Sequence, residues 1–300
     1  MPGLETRRYL DPNIISRLRK LDLKAKLVVE GFMTGLHRSP YHGFSVEFAE
    51  HRPYLPGDPI RNIDWKVYGK SDRFYVKQYE DETNLRAHIL LDASRSMTYG
   101  GPGAISKLEY AKHLAAALAY LMLHQQDAVG LMVFADTIRR YVPPRAAGRH
   151  LRVLLRELEQ IEPGTSTDVG ACLHQMADRI RRRGLVIVIS DLLDDPERVM
   201  GGLKHFRYKK NEVIVFQILD EDERAFPFQD EIGFVDLETG EEVITQSWVV
   251  AGEYRKAVSE WSETYRRLCG EHQIEFLSLT NKTPFDRALL RFLEKRGRLH

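Results

Sequence analysis

Three oxygen-bearing side chains are spaced two residues apart at Asp92, Ser94 and Ser96. They follow residues 87–91, an apolar run that we predict to be a buried strand. One carboxylate and two hydroxyls on a single turn are hard oxygen ligands of the kind that Mg²⁺ binds, and Mg²⁺ keeps positions for water or for a partner's oxygen. Ser-rich turns also follow strands without any metal, so the motif alone is equally compatible with a plain turn.

The chain around this motif alternates short apolar runs with longer helical patterns. Its runs are rich in Val, Ile, Leu and Phe with little alternation, which is typical of parallel strands buried on both faces. The predicted strands cover residues 87–91, 129–135, 185–190, 212–219 and 274–279. This alternation predicts an α/β, Rossmann-like fold, a mostly parallel sheet with helices on both faces.

The helices are marked by capping signals. Ser106 and Glu109 form a capping box for a helix that we expect to reach about residue 125. Further helices are predicted over residues 149–160, over 168–183 with Gly184 as its stop, from 195, over 252–270 and from 283 to the end. Residues 220–250 interrupt the alternation with a predicted hairpin at the rim of the sheet. We interpret it as an insertion, with a partner-binding device as the alternative.

Residues 1–86 have a different pattern. Residues 11–27 are predicted to be helical, and residues 43–54 and 73–80 to be strands. We therefore predict an N-terminal helix and small β-rich subdomain over residues 1–86, followed by the main domain over residues 87–300.

A metal site on Asp92 needs oxygens from other loops. Thr165 precedes a predicted helix, with Thr167 as the fallback if the loop register is shifted, and Asp191 follows the strand 185–190. Parallel strands bring such loops to one edge of the sheet. Taken singly, the threonines could be ordinary helix caps and Asp191 a turn residue.

Together, Asp92, Ser94, Ser96, Thr165 and Asp191 resemble the metal-ion-dependent adhesion site of von Willebrand factor type A (vWA) domains. The resemblance covers about residues 87–300 and implies a vWA-like fold. It implies that these five residues bind Mg²⁺, with Mn²⁺ as an alternative ion, directly or through water. It also implies that an acidic side chain of a protein partner completes the coordination shell.

The N-terminal region resembles a bacterial family, domain-of-unknown-function family 58. The matching residues are His37-Arg38-Ser39, Gly43, Glu47-Phe48, Arg52-Pro53-Tyr54, Pro56-Gly57-Asp58, Arg61, Ile63-Asp64-Trp65, Glu82 and the run from Asp92 to Met97. This resemblance implies a MoxR-type AAA+ ATPase as partner. The expected function is then a non-enzymatic, Mg²⁺-dependent protein-interaction module that acts in protein maturation or remodelling.

The N-terminal motif has two interpretations. Arg52, Asp58, Arg61 and Asp64 could form ion pairs that lock an irregular loop onto the sheet, with Trp65 as an anchor. The alternative is an interface that contacts a ligand or partner directly. We favour the structural role.

Composition excludes several classes of protein. With 44 Lys and Arg against 43 Asp and Glu, the chain lacks the basic excess of a nucleic-acid binder. Its two cysteines and the shortness of its apolar runs predict a soluble, cytoplasmic protein with no membrane span. A Mg²⁺-dependent, phosphatase-like hydrolase remains the alternative function. Aspartyl phosphatases, however, need a second carboxylate where this chain has Ser94.

Overall fold

The computed structural model describes residues 12–16, 20–37, 51–53, 68–69, 74–77, 85–164, 167–237 and 240–297. The strands are β1 (His51–Pro53), β2 (Tyr75–Lys77), β3 (Arg86–Asp92), β4 (Ala128–Phe134), β5 (Ile138–Arg145), β6 (Leu185–Ser190), β7 (Glu212–Leu219), β8 (Glu231–Val235), β9 (Glu242–Gln246) and β10 (Glu275–Thr280). The helices are α1 (Pro12–Ser16), α2 (Leu21–His37), α3 (Lys107–His124), α4 (Gly148–Glu159), α5 (Val169–Arg179), α6 (Pro196–Tyr208), α7 (Glu221–Ala225), α8 (Ser247–Glu271) and α9 (Phe285–Gly297), with a 3-10 turn at Arg95–Thr98.

The central sheet has six strands in the order β10-β7-β6-β3-β4-β5. All neighbours are parallel except β5, which is antiparallel to β4. Numbered from β3 within this sheet, the order reads 3-2-1-4-5-6, the order of doubly wound α/β folds. The predicted fold class, an α/β fold with a mostly parallel sheet between helices, is confirmed.

Strand β6 shows why these runs form the middle of the sheet. Leu185, Ile187 and Ile189 pack into the hydrophobic core on one face. Val186 and Val188 pack into a second core on the other face. Since side chains alternate between the two faces of a strand, an uninterrupted apolar run is required where helices cover both.

The edge strand β5 was not predicted. Its sequence, IRRYVPPR, is mostly exposed and carries three arginines and two prolines. Proline is tolerated at a sheet edge, where some backbone N–H groups need no partner in the sheet. Prolines and charged side chains at an edge also discourage pairing with a strand of another chain. Apolar periodicity therefore misses this strand.

The N-terminal helical prediction for residues 11–27 was partly wrong. Lys20 is not helical, and a second helix, α2, continues to His37. Ala25, Val28 and Phe32 of α2 are buried in the same core as the sheet's helix α3. Their spacing places them on one face of a helix, so packing against α3 carries α2 past residue 27.

The other helices keep their predicted positions with two changes of boundary. Helix α5 ends at Arg179, before the predicted stop at Gly184, and α8 begins at Ser247 rather than at residue 252. The predicted hairpin is present as the antiparallel pair β8–β9. Within the described part of the chain, no helix combines the length and apolar character needed to cross a bilayer.

Several predictions fall outside the described residues. Thr165, Asp58, Arg61, Asp64 and Trp65 are all in this group. Arg52 lies in β1, which pairs antiparallel with β2. The division into an N-terminal subdomain and a main domain, and the role of the N-terminal motif, stay predictions.

Candidate functional site

The candidate site lies where the chain order of the strands reverses in the central sheet. Strands β3 and β6 are parallel neighbours, with Leu91 opposite Ile189. Asp92 is the last residue of β3 and Asp191 follows β6 directly. Their side chains are therefore presented at the same carboxyl edge, the position at which doubly wound sheets bind ligands.

Asp92 is fully buried and held by its neighbours on both sides. Its Oδ1 accepts a hydrogen bond from the backbone N–H of Ser94 at 2.8 Å, which closes the turn. Its Oδ2 accepts a hydrogen bond from the Ser190 hydroxyl at 2.5 Å. Ser190 Oγ in turn accepts from the backbone N–H of Leu192 at 2.9 Å. The carboxylate is thus fixed by two loops at once.

The two predicted hydroxyls lie together. Ser94 Oγ and Ser96 Oγ are 3.0 Å apart. Ser94 is buried, whereas Ser96, in the short 3-10 turn, is half-buried. The turn therefore presents a pair of hydroxyl oxygens beside a buried carboxylate, with one of them reaching toward the surface.

Sequence reasoning missed two charged residues of this site. Lys107, whose side chain is fully buried, donates to Asp191 Oδ2 at 2.9 Å and to Glu223 Oε1 at 2.6 Å. Glu223 Oε2 also accepts from the backbone N–H of Asp220 at 2.7 Å, as part of the capping box of α7. Lys107 is the first residue of the apolar helix α3, and a lysine at a helix start gives no sequence signal for such a role.

The loop that carries Thr165 is tied to the same site. The backbone N–H of Gly164 donates to the carbonyl of Ala93 at 2.6 Å, next to Asp92. Thr167 is half-buried near the start of α5. Asp168 is the N-cap of that helix and accepts from the Ala171 N–H at 3.0 Å. The capping position therefore belongs to an aspartate and not to either threonine.

A second carboxylate fastens the neighbouring loops. Asp220 Oδ2 accepts from the Gly101 N–H at 2.9 Å and from the amide of Asn281. Its Oδ1 accepts from the Asp222 N–H at 2.8 Å. The loops after β3, β7 and β10 are therefore joined by one buried side chain, which gives the candidate site a rigid frame.

Burial and neighbouring charges shift the pKa values of Asp92 and Lys107. Burial, reinforced by the negative charge of Asp191, raises the pKa of Asp92 to about 7, although hydrogen bonds from Ser190 and Ser94 act in the opposite direction. Burial by itself would lower the pKa of Lys107, but the carboxylates of Asp191 and Glu223 outweigh it and raise that pKa. The ammonium is therefore retained at neutral pH.

The donor set suits a hard divalent cation. One buried ammonium faces Asp191 and Glu223, and Asp92 adds a third carboxyl group nearby. A buried site with more carboxyl groups than cations favours the binding of a proton or of a metal cation. Among the described residues no three His, Cys, Asp or Glu side chains are arranged to hold a metal ion. An ion here would therefore depend on the serine hydroxyls as well, as Mg²⁺ sites allow.

Comparison with known proteins agrees with the predicted family. A family model described as "Protein of unknown function DUF58" matches residues 50–264, more than half of the chain. The chain belongs to the DUF58 family. This DUF58 chain is 28% identical over 233 residues to the uncharacterized protein Rv1480 of Mycobacterium tuberculosis (strain ATCC 25618 / H37Rv), a match that covers 77% of the chain and 73% of that protein.

Solved structures with a similar arrangement are more distant from this DUF58 chain. One is an aerotolerance-related membrane protein from Bacteroides fragilis, with 21% identity, a TM-score of 0.49 and coverage of 70% of this chain and 99% of that one. Another is the conserved hypothetical protein BatB from Bacteroides thetaiotaomicron, with 19% identity, a TM-score of 0.47 and coverage of 71% and 99%.

Proposed function

We propose that this DUF58 chain is a non-enzymatic, metal-ion-dependent protein-interaction module. A bound Mg²⁺ or Mn²⁺ would link the chain to an acidic residue of a protein partner. The residues that would hold the ion are those predicted from the sequence, Asp92, Ser94, Ser96, Thr165 and Asp191. A vWA-like fold, as the sequence resemblance implies, favours an interaction role.

One observation carries the proposal. The buried carboxylate of Asp92 lies beside the hydroxyl pair of Ser94 and Ser96, and its pKa is raised by burial and by the charge of Asp191. This combination of hydroxyl oxygens and incompletely neutralised carboxylates is what a hard cation requires. An ordinary turn needs neither a buried carboxylate nor a second one beside it.

The residues of the site would have different roles in binding the ion. An ion held largely by neutral hydroxyls retains electrophilic character, which favours an incoming carboxylate. Ser190 and the Ser94 N–H hold Asp92 in place. The Lys107 ammonium contacts Asp191 Oδ2 and neutralises part of the negative charge of Asp191, so the negative charge around the ion would be limited.

The proposed partner is a MoxR-type AAA+ ATPase, in keeping with the family resemblance of the N-terminal motif. In this arrangement the chain would select the protein and the ATPase would supply the energy for its maturation or remodelling. No hydrolytic step is assigned to this chain.

Isothermal titration of Mg²⁺ and Mn²⁺ tests the metal site. Asp92→Asn keeps an oxygen that can accept from the Ser94 N–H but removes the charge, so it should fold and lose metal binding. Asp92→Ala should lose binding as well. Asp178→Ala is the matched control, because this aspartate lies on α5 with a side chain that is 70% exposed.

Partner binding is tested with a MoxR-type ATPase from the same organism. Capture of the ATPase by the wild-type chain should require Mg²⁺ and should fail in EDTA and in Asp92→Asn. Capture that persists under both conditions contradicts the proposal. Mg²⁺-dependent hydrolysis of p-nitrophenyl phosphate that is lost in Asp92→Asn would favour the hydrolase alternative instead.

A further inference from the structure

An open groove runs from the candidate metal site to the hairpin β8–β9. It encloses about 460 Å³. Ser96 and Tyr99 line it on the side of the site, and Phe228, Phe234 and Tyr254 line it on the side of the hairpin. Phe226, Phe228 and Phe234 pack against one another at centroid distances of 5.2 to 5.8 Å. The floor of the groove is therefore a preformed aromatic surface.

Large apolar side chains around this groove are exposed. Val243 lies directly opposite Phe234 in the hairpin, so both side chains are on the groove face. Val235, which also lines the groove, is 55% exposed. Exposed apolar side chains gathered in one place, unlike scattered ones, are typical of interaction surfaces.

The same segment is strongly acidic. Residues 220–250 contain ten Asp and Glu and a single basic residue, Arg224, whereas the whole chain has a net charge of +1. The exposed acidic residues described in this segment are Asp230, Glu231, Asp236, Glu241 and Glu242. Among the acidic residues, Asp222, Glu223 and Asp236 line the groove itself, so the groove selects for charge as well as for hydrophobicity.

We propose that the groove and the acidic hairpin bind a segment of a partner protein that carries Lys or Arg beside large apolar side chains. The apolar residues would enter the aromatic groove, and the cations would face Asp236, an exposed carboxylate in its lining. This binding is separate from the metal-dependent function and needs no metal ion, although Ser96 places the groove next to the proposed adhesion site.

Charge argues against the other occupants. An anionic membrane surface or a nucleic acid would be repelled by this acidic rim. A second copy could offer the basic strip on β5 and α4, which is formed by Arg139, Arg140, Arg145, Arg149, Arg152 and Arg156. That strip exposes only Tyr141 and Val153 as large apolar side chains, so it matches the charge of the hairpin but not its groove.

Fluorescence anisotropy with labelled peptides tests the proposal on the full chain. The probes are an amphipathic Lys/Leu peptide, a Lys/Ser peptide of equal charge and a Glu/Leu peptide of equal hydrophobicity. The Lys/Leu peptide should bind most tightly. Val235→Ser combined with Val243→Ser should weaken that binding by about tenfold or more, since both substitutions remove apolar surface that the peptide would bury. Asp236→Lys should weaken it as well.

Controls separate this surface from the metal site. Tyr208→Ser removes an aromatic side chain that is 86% exposed, and Glu159→Lys with Glu162→Lys reverses two exposed charges far along the chain. Neither should change peptide affinity. Asp92→Asn and EDTA should also leave it unchanged, so this inference and the metal-dependent function can fail separately.

Several outcomes would overturn the inference. Equal binding of the Lys/Ser peptide would reduce the effect to charge alone, and equal binding of the Glu/Leu peptide would reduce it to nonspecific hydrophobicity. Sedimentation velocity on the chain alone detects a second copy as occupant, if assembly depends on Val235 and Val243. Pelleting with anionic vesicles that requires the same two residues would assign the surface to a membrane.

Discussion

Lys107 Nζ lies 2.9 Å from Asp191 Oδ2, and both side chains have no solvent exposure. The two residues are 84 positions apart in the chain. The same ammonium also reaches Glu223, which lines the hairpin groove. One buried cation therefore joins the helix α3, the loop after β6 and the short helix α7, and it connects the candidate metal site to the groove.

Lys107→Met should destabilise the fold strongly. The substitution leaves Asp191 and Glu223 without their buried cation, and breaking one partner of a buried pair costs about 3 to 5 kcal/mol in the free energy of unfolding. Urea denaturation measures the loss. Lys26→Met is the control, because Lys26 forms an exposed pair with Glu30 that should contribute about 1 kcal/mol or less. Equal effects of the two substitutions would contradict the role assigned to Lys107.

Ser190→Ala should also lower stability, by about 1 to 3 kcal/mol, because it leaves buried polar groups without partners. Asp92 Oδ2 loses its donor, and the N–H of Leu192 loses its acceptor. Leu192 is held at φ +62°, so the loop depends on that hydrogen bond for its shape. Ser259→Ala on the exposed face of α8 is the control and should change little. An unchanged midpoint in urea for Ser190→Ala would show that the loop does not need this contact.

The sequence predicts the sheet well because its strands are buried on both faces. In β6 every residue is buried, so an apolar run marks the strand without ambiguity. Strand β5 follows no such rule, since an edge accepts arginine and proline. The helix α2 depends on packing against α3, a contact that local periodicity around residues 11–27 does not specify.

The candidate site is predicted only in part. Asp92, Ser94 and Ser96 are found because they form a local motif, and Asp191 because it follows a recognisable strand. Lys107 could not be found, since its partner Glu223 lies 116 positions away and only folding brings the two together. Long-range pairing of buried charges leaves no periodic pattern in either segment.

Gly184 is predicted from the sequence to be a helix stop, but α5 already ends at Arg179 and the glycine lies against the backbone of Arg86. A Cβ at this position would lie 2.1 Å from the carbonyl oxygen of Arg86, at the start of β3. Gly184→Ala should therefore destabilise the sheet by about 1 to 3 kcal/mol, since the backbone must move to accept the methyl group. Gly148→Ala on α4 has open space around it and should be neutral or stabilising by about 1 kcal/mol. Thermal unfolding of both variants measures the contrast, and a tolerated Gly184→Ala would show that this approach is not tight.

Two buried histidines should make stability depend on pH. Burial, aided by the charge of Arg86, lowers the pKa of His88 to about 4. Burial, aided by Lys24, lowers the pKa of His113 to about 4. Lys24 Nζ donates to His113 Nε2 at 2.9 Å, so the folded state requires a neutral imidazole at this joint between α2 and α3. Glu109 opposes the shift of His113 and Lys112 adds to it, but burial remains the largest cause.

The sign of the pH effect follows from these pKa values. Unfolded histidines titrate near 6.5, so on acidification the unfolded chain takes up protons before the folded chain does. The contribution of each histidine is therefore complete above pH 6.5 and is lost as the pH falls toward 4, by about 2 kcal/mol between pH 7.5 and 5. Urea midpoints at several pH values measure the slope, from which His113→Gln should remove its own contribution of about 2 kcal/mol; the raised pKa of Asp92 acts in the opposite direction and is common to both chains. His124→Gln, which removes an exposed imidazole from the same helix, is the control. A slope that His113→Gln does not alter would place the proton uptake elsewhere.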